Sequence, residues 1–131
     1  MQKIFYPAVF HPEATGYSVF VPDIDGCYSQ GETIEEAIEM ASDAIGLCLE
    51  EIIEQNKELP SPSNPNSLKY GENDFVALIT LDWLAYQKKH NLKSVKKTLT
   101  IPSWLNTLAE EQHINFSSVL QSALKQQLHI D

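Results

Sequence analysis

The chain has 131 residues, 43% hydrophobic and 21% charged, with a formal net charge of -9. That length holds one ordinary domain, or a domain of about 90 residues with a small accessory module, and excludes a large cleft between two full domains. The balance is that of a folded globular chain. No apolar run approaches the ~20 residues of a membrane span, and the start MQKIFYPAVF lacks the charged lead, apolar core and small-residue cleavage site of a secretion signal. The expected compartment is the cytoplasm. Cys27 and Cys48 have no CxxC spacing and are expected to be free buried thiols.

The first elements form a sheet. Gln2 to Phe10 and Tyr17 to Val21 are rich in aromatic and branched residues and flank the turn-forming HPEATG, so they predict an antiparallel hairpin. After Asp25-Gly26, residues Cys27 to Gln30 predict a short third strand that Gly31 ends. Thr33-Ile34-Glu35-Glu36 is a capping box that starts a helix. Its apolar stripe is Ile34, Ala37, Ile38, Ala41, Ala44, Ile45, Cys48 and Ile52, expected to lie on the strands. The prolines at 60, 62 and 65 require a loop after it. FVALITL, Phe75 to Leu81, then predicts a strand of the kind buried on both faces, returning to the same sheet. Asp82 caps a short helix that leads into the linker KKHNLK.

The remainder follows a different pattern. Val95 to Ile101 predicts a strand with Leu99 and Ile101 on one face and Lys96, Thr98 and Thr100 on the other. Pro102 can open a helix carrying Leu105, Leu108 and Ala109, and Asn115 can cap a second one with Val119, Leu120, Ala123, Leu124 and Leu128 on its stripe. One strand and two helices in about 37 residues cannot bury a core alone, so dimerisation is expected.

Charge divides along the same line. Residues 1–90 carry five lysines against fifteen carboxylates, whereas residues 91–131 carry four against three. No acidic residue lies between Asp82 and Glu110, a window holding five lysines. All nine basic residues are lysines, so any phosphate contact is a point charge and not a bidentate guanidinium.

The strand-helix-helix order resembles the ribbon-helix-helix DNA-binding module, in which two chains pair their strands into a ribbon for the major groove. The resemblance makes Lys96, Thr98 and Thr100 base readers, with Lys93 adding phosphate attraction and Asn115, Ser117 and Ser118 at a helix start facing a phosphate. Over nearly its whole length the chain resembles the HicB antitoxin family. The run from Tyr17-Ser-Val-Phe-Val-Pro-Asp through Gly26-Cys27 and Gly31 to Thr33-Ile34-Glu35-Glu36-Ala37 carries most of that resemblance, with FVALITLDWLAYQKKH and the terminal module. It implies an α+β protein in two domains. Residues 1–90 form a βββαβ sheet with one packed helix, a partial RNase H-like fold that binds and blocks HicA, a small basic RNA-cleaving toxin. Residues 91–131 form the ribbon-helix-helix, which dimerises, binds the operator of its own promoter and can build higher-order complexes with toxin. An acidic body suits a basic partner, and the expected toxin contacts are Asp23, Asp25, Glu32, Glu35, Glu36 and Glu39. No cofactor, metal or catalytic residue is expected.

Two rival readings compete with this one. RNase H-like nucleases hold two metal ions on carboxylates, and Asp23 and Asp25 flank a single Ile, yet no further strand-borne acidic set accompanies them. Gly26 does not fit a calcium loop, and His11, His90, His113 and His129 lack ligand spacing. The second rival is a stand-alone ribbon-helix-helix repressor whose first domain senses a small ligand; a short basic reading frame beside the gene discriminates against it.

Overall fold

In the computed structural model, which describes residues 3–131, β1 (Lys3–Pro12) and β2 (Tyr17–Phe20) pair antiparallel with Val9 opposite Phe20. The predicted start of β1 at Gln2 lies outside the described residues. β3 (Tyr28–Gly31) begins one residue later than expected and pairs with β2. β4 (Phe75–Asp82) pairs antiparallel with β1, which gives the order β3-β2-β1-β4. Between β3 and β4 comes α1 (Ile34–Glu54), which packs on one face of the sheet.

Local chemistry fixes where α1 starts. The Glu36 N–H donates to Thr33 Oγ1 at 3.1 Å, as the capping box requires. Ala37, Ala41, Ile45 and Leu49 then recur at four-residue steps and are buried among Ile4, Tyr6, Ala8 and Phe10 of β1, Val19 of β2 and Ile79 and Leu81 of β4. Small residues let helix and sheet approach. A Cβ on Gly31 would lie 2.4 Å from the Ala37 backbone nitrogen, so the end of β3 touches the first turn of α1 main chain to main chain.

Three expectations need correction. Ile34 and Ile38, expected on the buried stripe, are exposed, since the core takes Ala37, Ala41, Ile45 and Leu49 from α1. FVALITL is not buried on both faces. The sheet carries its helix on one side only, so Ile79 and Leu81 are buried while Leu78 and Thr80 are exposed. The predicted short helix after Asp82 is longer than expected: α2 (Trp83–His90) takes up part of the linker. Asp82 caps it, accepting from the Ala85 N–H at 3.1 Å. Tyr86 of α2 packs over Gly46, where a Cβ would meet the ring at 2.4 Å.

The loop between α1 and β4 is tied at two residues by three hydrogen bonds. The Tyr6 hydroxyl donates to Pro60 O at 2.6 Å, the Ser63 N–H donates to Asp23 Oδ2 at 2.8 Å, and the Ser63 hydroxyl donates to Asp23 Oδ1. At its far end His11 Nδ1 and Asp74 Oδ1 are 2.5 Å apart.

A second unit runs from Ser94 to Asp131. It holds α3 (Ser103–Glu111), directly after Pro102, and α4 (Phe116–Leu128), capped by Asn115, whose Oδ1 accepts from the Ser118 N–H at 3.0 Å. Residues 95–101 make no ladder in the single chain. A strand needs a neighbour, and the neighbour expected from the sequence is the same stretch of a second copy. No residue of this unit is buried: Leu99 is 63% exposed, Trp104 66% and Leu124 51%.

Replacing Gly31 by Ala sets backbone against backbone, which no side-chain rotation relieves. It is expected to cost at least the ~1–3 kcal/mol of an overpacked core, read as a lower midpoint in urea unfolding; an unchanged midpoint would contradict the close contact of β3 with α1.

Candidate partner-binding surfaces

The six acidic residues expected to face a partner do not form one cluster. Asp23 and Asp25 lie in the turn between β2 and β3 and line an open cleft of about 390 Å³ with Cys48, Glu51, Lys57 and Glu58. Asp23 is already engaged, since both its oxygens hold Ser63 forty residues away. Its first role is to fasten the loop. Glu32 and Glu36 instead share a concavity of about 480 Å³ with Glu13, Thr15, Ser18 and Gln30. Glu35 and Glu39 stand exposed on another side of α1, whose 21 residues contain no basic side chain.

Both cysteines are free; Cys27 is buried as expected, whereas Cys48 is only half-buried. Burial, and then the neighbouring Cys48, push the Cys27 pKa up to about 12, which keeps it protonated. Among the described residues no three His, Cys, Asp or Glu side chains converge as a metal site requires. No helix among them is long and apolar enough to cross a membrane.

The sheet face turned away from α1 is a surface that sequence reasoning missed. Phe20 and Tyr28 stack there with ring centroids 5.1 Å apart, and Tyr28 is 67% exposed. Phe5 and Leu78 are exposed on the same face further along. Their signal was available in the two-residue alternation, because Phe5 and Phe20 fall out of phase with the core residues Ile4, Tyr6 and Val19.

The second unit separates the faces of its extended stretch. Lys97, Leu99 and Ile101 line a groove of about 480 Å³ with Asn106, Phe116, Val119, Leu120 and Ala123. Lys96, Thr98 and Thr100 alternate with them, are exposed and do not line it. The helix start expected to hold a phosphate is partly used: the Asn115 side chain takes the Ser118 N–H, and Ser117 lines the groove. Lys93 falls in the first unit, where it lines a concavity with Glu50 and Glu54.

A family model described as the HicB_like antitoxin of bacterial toxin-antitoxin system matches residues 6–124. The chain belongs to that family. Antitoxin HicB 1 of Photorhabdus laumondii is 45% identical to it over 63 residues, 47% of this chain and 41% of that protein, so the alignment spans less than half of that curated relative. Among solved structures, a chain of a toxin-antitoxin complex from Streptococcus pneumoniae shares 31% identity and a TM-score of 0.62, covering 95% of this HicB-family chain and 99% of its own. A chain of a HicA3 and HicB3 toxin-antitoxin complex shares 25% identity and a TM-score of 0.52 over 60% of this chain and 99% of its own.

The His11–Asp74 pair gives the HicB-family chain a pH signature. Hydrogen bonding to Asp74 raises the His11 pKa above its ordinary 6.5, and the same bond lowers that of Asp74 below 3.8. The histidine's contribution to stability is full below its ordinary pKa and lost as pH rises through the raised one. The carboxylate's contribution is lost as pH falls through its lowered value. The melting-temperature gap between wild type and His11→Ala is therefore expected to be widest between about 4 and 6.5 and to close at alkaline pH; a gap independent of pH would refute the pairing.

Proposed function

We propose that this chain is the antitoxin of a HicBA system, that its first unit neutralises a HicA-type RNA-cleaving toxin by covering it, and that its second unit pairs with a second copy to bind operator DNA and repress its own operon. The observation that carries the antitoxin role is the family match over residues 6–124 together with full-length structural similarity to a toxin-antitoxin complex chain. The sheet order with one packed helix supports a reduced RNase H-like fold for the first unit.

Electrostatics supports the covering role. A surface that grips RNA must be positive, and this chain places its acidic excess in residues 1–90. The chain acts here as a regulator, without catalysis of its own. The two first-unit clefts that hold the expected acidic contacts are open and lined by charged residues, unlike the enclosed apolar pocket that a small-ligand sensor would use.

The DNA role is supported by alternation in the second unit. Lys97, Leu99 and Ile101 turn to the apolar groove, which leaves Lys96, Thr98 and Thr100 on the opposite face, as a base-reading ribbon requires. The exposed Leu99, Trp104 and Leu124 give a second copy apolar surface to cover.

Two measurements test this. Reversing Glu35, Glu36 and Glu39 to Lys is expected to weaken toxin binding by about 10-fold or more in calorimetric titration and to flatten its salt dependence, since a ten-fold change needs only ~1.4 kcal/mol. Unchanged affinity would remove α1 from the interface. In gel shifts, Thr98→Ala and Thr100→Ala are expected to lower the preference for operator over random DNA by ~1–3 kcal/mol per lost base contact. Lys96→Ala should in addition reduce the salt slope. Wild-type operator binding in all three variants would send the ribbon assignment back.

A further inference from the structure

We infer that the toxin engages this chain by adding an extended, basic segment to the open edge of β4 as a fifth strand. The inference rests on the toxin-binding role proposed above and specifies the surface and the mode of contact.

Strand geometry identifies which main-chain groups are free. Pro7 of β1 stands opposite Leu78 of β4. Proline has no N–H, so this pair cannot be one in which two residues exchange both hydrogen bonds, and the N–H and C=O of Leu78 must point away from β1. By the two-residue period those of Val76 and Thr80 point the same way. An independent contact agrees: the Ser42 hydroxyl of α1 donates to Thr80 O at 3.0 Å. Among the described residues no loop backbone group pairs with Val76 or Leu78 on that side. Two consecutive outward residues thus offer about four hydrogen bonds to an incoming strand.

The helix reaches this edge at Ser42. Ser42, Ile38 and Ile34 lie on one ridge of α1 at four-residue steps. Ser42 reaches Thr80, and Ile38 and Ile34 precede it on the same ridge of the helix. Ile38 is 39% exposed and Ile34 42%. These two isoleucines precede Ser42 on its ridge and leave apolar surface that one more strand could cover. On the other side of the sheet Leu78 and Phe5 are exposed to its alternate side chains.

Charge selects the occupant. Glu35 and Glu39 follow Ile34 and Ile38 along α1, neither α1 nor β4 contains a basic residue, and the one lysine of β1, Lys3, stands opposite Asp82 at the far end of the strand. A second copy pairing β4 to β4 would set these carboxylates against their own images; a segment rich in lysine or arginine would be attracted. An edge that from Phe75 to Leu81 has Thr80 as its one polar side chain, and no proline or lysine, is also one that folded proteins keep covered, and strand addition is an established mode of peptide recognition.

The test is residue-resolved amide exchange on the full chain, free and bound to the HicA toxin of its own operon. Exchange at Val76 and Leu78 is expected to be fast in the free chain and to slow at least 100-fold in the complex, while Ala77 and Ile79, turned toward β1, are protected in both. Leu78→Pro, which removes an outward N–H and no bond to β1, is expected to reduce toxin affinity at least 10-fold with little change in melting temperature. A complex that forms with Val76 and Leu78 exchanging at free rates would overturn strand addition and leave the toxin-binding role standing. Protection that appears without toxin and grows with protein concentration would make the occupant a second copy and overturn the inference. Failure of the wild-type chain to bind the toxin at all would overturn the functional proposal and this inference together.

Discussion

Main-chain groups of an extended stretch must find partners, and from Val95 to Ile101 this chain supplies none of its own. The two helices that follow do not remedy the deficit, since α3 and α4 bury no residue and leave Leu99, Trp104 and Leu124 more than half exposed. A unit of this size cannot close a core by itself. The proposed ribbon meets both needs at once: pairing satisfies the backbone and sets Leu99 and Ile101 into a shared interior, which turns Lys96, Thr98 and Thr100 outward. The proposed DNA face depends on that pairing.

The first unit is complete as a fold and open as a surface. Its one helix covers one face of four strands, so the core forms between α1 and β1, β2 and β4 while the opposite face keeps Phe5, Phe20, Tyr28 and Leu78 exposed. Its carboxylates fall into distinct roles. Asp23 fastens a loop, Asp82 caps a helix, Asp74 pairs with His11, and the glutamates along α1 remain free to act through their field. What looks in the sequence like a carboxylate site at Asp23 and Asp25 is, for Asp23, a structural tie.

Much of this was legible because it is local. The hairpin around HPEATG, the Thr33 cap, the Asp82 cap and the Asn115 cap each depend on residues within a few positions of one another, and each forms as expected. The errors arise where a distant neighbour decides. An apolar run such as FVALITL reads the same at the centre of a sheet and at its edge, and only the pairing with β1 shows that β4 is last in the order. Ile34 and Ile38 have the period of buried residues and are exposed. The hydrogen bonds of Asp23 with Ser63 span forty positions and leave no local signature.

The most direct measurement is the mass of the full chain in solution, by sedimentation at micromolar concentration, for wild type and Leu99→Asp. The account requires wild type at twice the 14.8 kDa chain mass or a multiple of that, and the variant, with a charge placed in the shared interior, as a monomer that still binds toxin and no longer binds operator DNA. A wild-type monomer that binds the operator as tightly as any dimer would contradict it.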